Sequence, residues 1–381
     1  MARDFQWLLT SKDLNPEFST DVTSRLIDHS FDSELGWVRK ADTNGSDLVN
    51  GREIPYHINS FGARFNPGHE DFPIVASTYG DSFTFCREVL DHQTWQWYLS
   101  KETKTNVVNY GVGNYGLDQA YLRLKRQFPL TPSKIVIMGV VPETIVRIHS
   151  FWKHYVEYGN IYGFKPRYVL TDERLDLLEN PVSDLDELFQ LQDNLKHINA
   201  NDYFYRRKFL KDVLSTPIFL SLFMNRWRNP RLIASLLLSH LKRERVRKSS
   251  YDIVMTYNDT WTRSMYESSE CVRLFSLLIK EFKDYVSERD SIPILLFLPY
   301  LKDVKSVSSS GKRYYYQDFI HAVRDSYDLL VCDPLPSILK SKNIDVLYRS
   351  DRYGGHLSSH GNKFISRVMY SFMQKKRISF F

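Results

Sequence analysis

The stretch STYGDSFTFC, Ser77 to Cys86, decides how the rest of this 381-residue chain is read. The apolar run PIVAS (73–77) leads into Gly80, Asp81 and Ser82, and an aromatic-rich segment follows. Gly, Asp and Ser all favour turns, so a turn at a strand end accounts for them. A nucleophile displayed at a strand end accounts for them as well. The remainder of the chain has to separate the two readings.

Downstream of Ser82 the signals alternate. Residues 83–101 read as a helix, TNVVNYGV (105–112) as a strand and LDQAYLRLKRQF (117–128) as an amphipathic helix. SKIVIMGVV (133–141), rich in β-branched residues and flanked by Pro132 and Pro142, is a strong strand signal. Residues 150–290 read as mostly helical patterns and polar loops, with VRLFSLLIKEFKDYV (272–286) an amphipathic helix, and SIPILLFLPYL (291–301) resumes the strands. A helix over 314–326, a strand over 327–333 and a closing helix over 363–376 complete the pattern. NGSDLVNGREIP (44–55) and SVSSSGK (306–312) read as loops.

Strands alternating with helices predict an α/β protein: a mainly parallel sheet covered on both faces, with a helical insertion. The expected organisation is an N-terminal extension over 1–70, a core over 71–149 and 291–381, and an insertion over 150–290. In such sheets ligands bind beyond the carboxyl ends of the strands. The loops after Ser77, Val112, Val141 and Asp333 are therefore expected on one edge.

Composition excludes several classes. Apolar residues at 43% and charged residues at 25% are ordinary for a globular protein. Three widely spaced cysteines without a C-x-x-C argue against a disulfide scaffold or zinc ribbon and fit a reducing, cytoplasmic compartment. No metal-ligand spacing is present, and neither a metal nor a cofactor is expected. No apolar run suits a signal peptide or a membrane span. The net charge of +6 is concentrated: residues 206–248 hold twelve Lys and Arg against Asp212 and Glu244. FLKDVLSTPIFLSLFMNRW (209–227) and RNPRLIASLLLSHLKRERVRK (228–248) read as two helices with dense apolar content and basic ends. Such a hairpin, spanning 205–248, is either a packed insert with solvated cations or a platform for peripheral contact with an anionic membrane. No nucleic-acid motif accompanies the charge.

The loops on the expected edge hold the parts of an acyl-transfer site. A hydroxyl is a weak nucleophile until a base takes its proton. An imidazole does that near neutral pH, a carboxylate fixes its tautomer, and backbone amides stabilise the oxyanion. Ser82 supplies the hydroxyl. GVGNYG (111–116) supplies flexible backbone, and SDRYGGHLSSHGN (350–362) supplies histidines and an acid.

With GDSFTF (80–85), NYGVGNYGLDQ (109–119) and GGHLSSHGN (354–362) in this order, the chain resembles the SGNH (GDSL-type) hydrolases; INSFGARF (58–65) looks like the lead-in of many bacterial members. The resemblance covers 56–145 and 291–370 and says little of 150–270. It implies a three-layer α/β/α fold, Ser82 as nucleophile, His356 as base and the Ser82 amide as first oxyanion donor. His360 is the competitor and reads better as a helix-start residue. Either Gly113 or Asn114 takes the place of the second oxyanion donor; Asn tolerates the left-handed conformation. Where the family has an oxyanion Asn this chain has Glu143, which cannot donate when ionised and reads otherwise as a partner for Arg147. The family's Asp sits three residues before the His, where this chain has Tyr353, so Asp351 serves only if the YGG segment bulges. The activity implied is cleavage or transfer of a small acyl ester, often on a carbohydrate. The alternative is a degenerate fold that binds a glycan or lipid-linked partner without catalysis.

Overall fold

A computed structural model describes residues 7–49, 51–214, 218–241, 245–349 and 355–380. The chain divides into two compact units, Met1–Trp37 with Ile148–Cys271 and Val38–Arg147 with Val272–Phe381. The segment 1–70 is thus shared between them, and 272–290 goes with the sheet.

The second unit opens with a hairpin of β1 (Asn44–Val49) and β2 (Arg52–His57), paired from Asn44 with His57 to Val49 with Arg52. The expected loop over 44–55 is therefore a correction: its turn residues mark a hairpin tip, where Gly51 has φ +78. Then come β3 (Ile74–Gly80), α1 (Ser82–Phe85), α2 (Trp95–Thr103), β4 (Asn106–Asn109), α3 (Leu117–Gln127), β5 (Ile135–Val140) and α4 (Thr144–Arg147). After the other unit's residues follow α5 (Ser269–Ser287), β6 (Ile292–Phe297), α6 (Leu301–Ser310), α7 (Gln317–Tyr327), β7 (Leu330–Cys332), α8 (Leu335–Leu339) and α9 (Ser359–Lys375).

The five strands pair in parallel in the order β7-β6-β5-β3-β4. Continuous apolar runs such as IVIMGV, buried at all six positions of β5, are what a sheet covered on both faces requires. Helices α2 and α9 cover one face; Trp95, Leu99, Ile365, Met369 and Met373 pack on Ala76, Val107, Ile137 and Leu296. Helices α3, α5 and α7 form the third layer, with Tyr121 edge-on to Tyr285 and Phe275 stacked on Phe319. The expected α/β/α sandwich is the observed fold. The order in which strands are added reverses between β3 and β5, since β3 leads outward to β4 and β4 returns across it to β5. In an open α/β sheet such a switch point is where ligands bind, at the carboxyl ends of the strands.

Two further expectations change. The single helix expected over 83–101 is broken: α1 lasts one turn, Cys86 and Glu88 take left-handed φ of +60 and +73, and α2 restarts behind Thr94. The Thr94 side chain accepts from Trp97 N, a capping signal present in the sequence. The serine-rich loop over 306–312 is helical to Ser310, because Ser309 and Ser310 hydroxyls donate to the Ser306 carbonyl and Gly311 closes the helix at φ +61.

The first unit holds helices Thr20–His29, Leu191–Asn201, Ile218–Met224, Arg228–Leu241 and Arg245–Glu267, with a hairpin of Arg167–Thr171 and Arg174–Leu178. Leu232, Leu236 and Val254 form a small core in it. A buried polar cluster centres on Asp212, which accepts from Lys208, Tyr158, Asn225 and Tyr257. Burial pushes the Lys208 ammonium down to about 8. Among the described residues no helix is long and apolar enough to cross a membrane.

Gly80 closes β3 at φ +150, where a Cβ would lie 2.3 Å from the Gly139 carbonyl oxygen and from Thr84 Oγ1. Gly80→Ala is expected to destabilise the protein by about 3 kcal/mol, through overpacking plus backbone strain. A urea titration of the variant against the parent chain reads this as a lowered midpoint.

Candidate functional site

The site begins where β3 ends. Asp81 leaves the strand in extended conformation, and its Oδ1 accepts from Phe83 N at 2.9 Å, which turns the chain into α1. Ser82 is therefore the first helical residue. Its amide has no intrahelical acceptor, and the residue is 8% exposed.

The histidine arrives from the far end of the chain. Residues 347–349 and 356–358 run antiparallel, with Arg349 N donating to His356 O at 2.8 Å and Ser358 N to Leu347 O at 2.9 Å. Ser358 caps α9 by accepting from Gly361 N. Asn362, fully buried, donates to the carbonyls of Leu357 and Ser358. At Gly361 a Cβ would meet the Leu347 carbonyl at 2.0 Å. The Gly-Asn pair of HGN thus locks the segment that presents His356. His360 lies exposed on the first turn of α9.

His356 Nε2 lies 3.0 Å from Ser82 Oγ. The Phe83 ring backs the imidazole at 5.0 Å between centroids. On the other side of the ring, Nδ1 lies 3.5 Å from Glu88 Oε1, with both side chains about 5% exposed or less. Glu88 was not singled out in the sequence. The unbroken helix read over 83–101 hid the turn that carries it; the Thr94 cap was the signal that this helix starts again later. Asp351 lies outside the described residues.

Gly113 and Asn114 form the tip of the loop after β4. Val112 N donates to Gly80 O at 3.0 Å and Tyr110 N to Thr78 O at 2.8 Å, which ties this loop to the end of β3. Asn114 adopts the left-handed conformation at φ +72. Glu143 pairs with Arg147 at 3.0 Å, one helical turn on, and accepts from the Tyr300 hydroxyl at 3.0 Å. The same Arg147 guanidinium holds Asp81 Oδ2 at 2.6 Å and donates to the Tyr115 carbonyl at 3.3 Å. Burial and the neighbouring Glu143 carboxylate push the Tyr300 hydroxyl well above its usual range, so it stays protonated and donating. Cys86 is buried against Gln96, and desolvation pushes its thiol up to about 12. It is an inert neighbour of the site. Among the described residues no group of three His, Cys, Asp or Glu side chains is placed to hold a metal ion.

No model of a known protein family matches this chain, and no curated protein does. Solved structures overlap it weakly. The lipase/acylhydrolase from Enterococcus faecalis is 9% identical, with 80% of this chain and 96% of that one covered at a TM-score of 0.38. An acetyl xylan esterase is 11% identical, with 78% and 98% covered at 0.36. A lipolytic protein of the G-D-S-L family from Desulfitobacterium hafniense is 13% identical, with 77% and 98% covered at 0.33. The chain resembles the SGNH hydrolases in the order of its motifs and in the parallel sheet that carries them.

Arg147 neutralises the buried Asp81 beside Ser82. Arg147→Met leaves that carboxylate without its cation and is expected to cost about 3–5 kcal/mol. Glu143→Gln, at a partner one third exposed, is expected to cost less than about 1 kcal/mol. Paired thermal melts of the two variants should rank them in that order.

Proposed function

We propose that this chain is a serine esterase of the SGNH type, acting on a small acyl ester carried by a carbohydrate. The observation that carries the reading is the 3.0 Å contact between Ser82 Oγ and His356 Nε2 beyond the carboxyl end of β3. Ser82 Oγ attacks the ester carbonyl as His356 Nε2 takes its proton. The tetrahedral oxyanion is held by the Ser82 amide and an amide of the Gly113–Asn114 loop. Its collapse expels the alcohol, which leaves with the proton from the imidazolium, and an acyl-serine remains. A second hydroxyl then repeats the cycle: water gives hydrolysis, and a sugar hydroxyl gives transfer. Glu143 has no place in the oxyanion hole, because its charge is engaged by Arg147 and Tyr300. Binding without catalysis is the weaker reading, since a merely degenerate site has no reason to keep a buried serine and imidazole in hydrogen-bond contact.

The basic segment adds a second part to the proposal: peripheral contact of a cytoplasmic protein with an anionic membrane. Residues 215–217 and 242–244 of this segment lie outside the described ones. Leu220, Phe223 and Met224 on the helix Ile218–Met224, and Trp227 in the turn that follows it, are 37–64% exposed. Arg226 approaches the Phe223 ring at 5.9 Å and Arg231 the Trp227 ring at 4.9 Å. From 213 to 243 the sequence contains no Asp or Glu. Exposed aliphatic and aromatic groups beside arginines match an interface of acyl chains and anionic headgroups. The three cysteines, all free and buried, fit a reducing compartment.

Ser82→Ala and His356→Ala should each reduce p-nitrophenyl acetate turnover by at least about 10³-fold, with circular dichroism unchanged; retained turnover in the alanine-82 protein would refute the assignment. In flotation assays the chain should rise with vesicles containing phosphatidylglycerol at low salt and stay down with phosphatidylcholine alone. Phe223→Ser with Trp227→Ser should weaken binding about tenfold or more. Equal flotation with both lipids, or none with either, removes the membrane part.

A further inference from the structure

We infer that Glu88 is the residue that orients His356, and that Asp47 and Arg64 hold the strained turn that delivers it. This deepens the esterase reading and rests on it. An imidazole accepts a proton through Nε2 only when its own proton sits on Nδ1, and that tautomer needs an acceptor facing Nδ1. The Glu88 carboxylate stands there at 3.5 Å, buried with the ring it faces. A carboxylate so placed also stabilises the imidazolium formed when Ser82 loses its proton, and low exposure keeps that attraction unscreened. Contacts of this kind tighten when substrate closes the site.

The backbone supports the assignment independently. Glu88 sits at φ +73, two residues after Cys86 at φ +60. Left-handed conformations cost a non-glycine residue about 1 kcal/mol or more and persist only when their surroundings over-determine them. Here they do. Asp47, at an inward position of β1, accepts Glu88 N through Oδ2 at 3.2 Å and Arg87 Nε through Oδ1 at 3.0 Å. From the other side the buried Arg64 guanidinium donates to the carbonyls of Phe85 and Cys86, both at 2.8 Å, and of Val89 at 2.5 Å. Asp91 fixes Arg64 in turn, through Oδ1 at 2.8 Å. Two buried charged side chains thus grip five residues of turn, and the one side chain they aim at His356 is Glu88. Among the described residues, Ser82 Oγ, the Phe83 ring and this carboxylate stand against the imidazole.

The test uses the full chain with Glu88→Gln, Glu88→Asp and Asp47→Ala. Glu88→Gln is expected to lower kcat for p-nitrophenyl acetate by about 10²–10⁴-fold with KM within about threefold, as expected for a lost tautomer and lost imidazolium support. Glu88→Asp should recover part of the loss, and Asp47→Ala should lose about tenfold. The His356 imidazole titration, followed by NMR without substrate, should move to lower pH in Glu88→Gln, because removing a neighbouring negative charge disfavours the imidazolium. Activity within threefold of the parent together with an unmoved titration overturns the inference. So does an Asp351→Asn variant that produces the loss and the shift while Glu88→Gln produces neither. Should the parent chain turn over no ester at all, the functional reading falls, and the titration still decides whether Glu88 governs His356.

Discussion

One hydrogen bond joins residues 274 apart in sequence: Ser82 Oγ to His356 Nε2. Everything else near it serves to make that meeting reproducible. The parallel sheet brings the carboxyl ends of β3 and β5 to one edge, and the reversal of strand order between them leaves room for side chains there. Ser82 comes directly from β3. His356 comes from a short antiparallel ladder that α9 pins through Gly361 and Asn362. Neither segment could hold its group alone, so the site is a product of the completed sandwich.

Two buried arginines support this contact from different directions. Arg147 gathers Asp81, Glu143, Tyr115 and Tyr300 into one network beneath the start of α1. Arg64 gathers the carbonyls of the turn after α1. In each case a guanidinium with five fixed donors satisfies several acceptors at once, which is what a water-poor interior needs. The arrangement also explains how an acid can stand where a neutral donor is expected: Glu143 is part of the Arg147 network, and its charge is met there. Losing either arginine would leave carboxylates or carbonyls buried without partners, a cost well above that of losing a surface ion pair.

The sheet was legible in the sequence because both its faces are covered. Runs such as IVIMGV and PILLF admit few other readings, and the helices between them keep their apolar period. Ser82 and His356 were legible because turn-forming glycines and caps surround them. Glu88 was not, since its side chain matters only through a backbone turn that helix periodicity conceals. The 44–55 hairpin was missed because its polar residues read as loop, although Asp47 faces inward to grip that same turn. Glu143 was read correctly as an alternative partner of Arg147, because i and i+4 spacing is local; that Arg147 also holds Asp81 depends on tertiary structure. Local grammar reveals strands, caps and short-range pairs, whereas long-range polar networks emerge only from packing.

Covalent labelling reads directly whether the Ser82 hydroxyl is activated. The intact chain is treated with a fluorophosphonate and the modified peptide is located by mass spectrometry. One adduct per chain is expected, on Ser82, and none on a chain carrying His356→Ala. A folded protein that takes up no label, or takes it elsewhere, would contradict an activated Ser82.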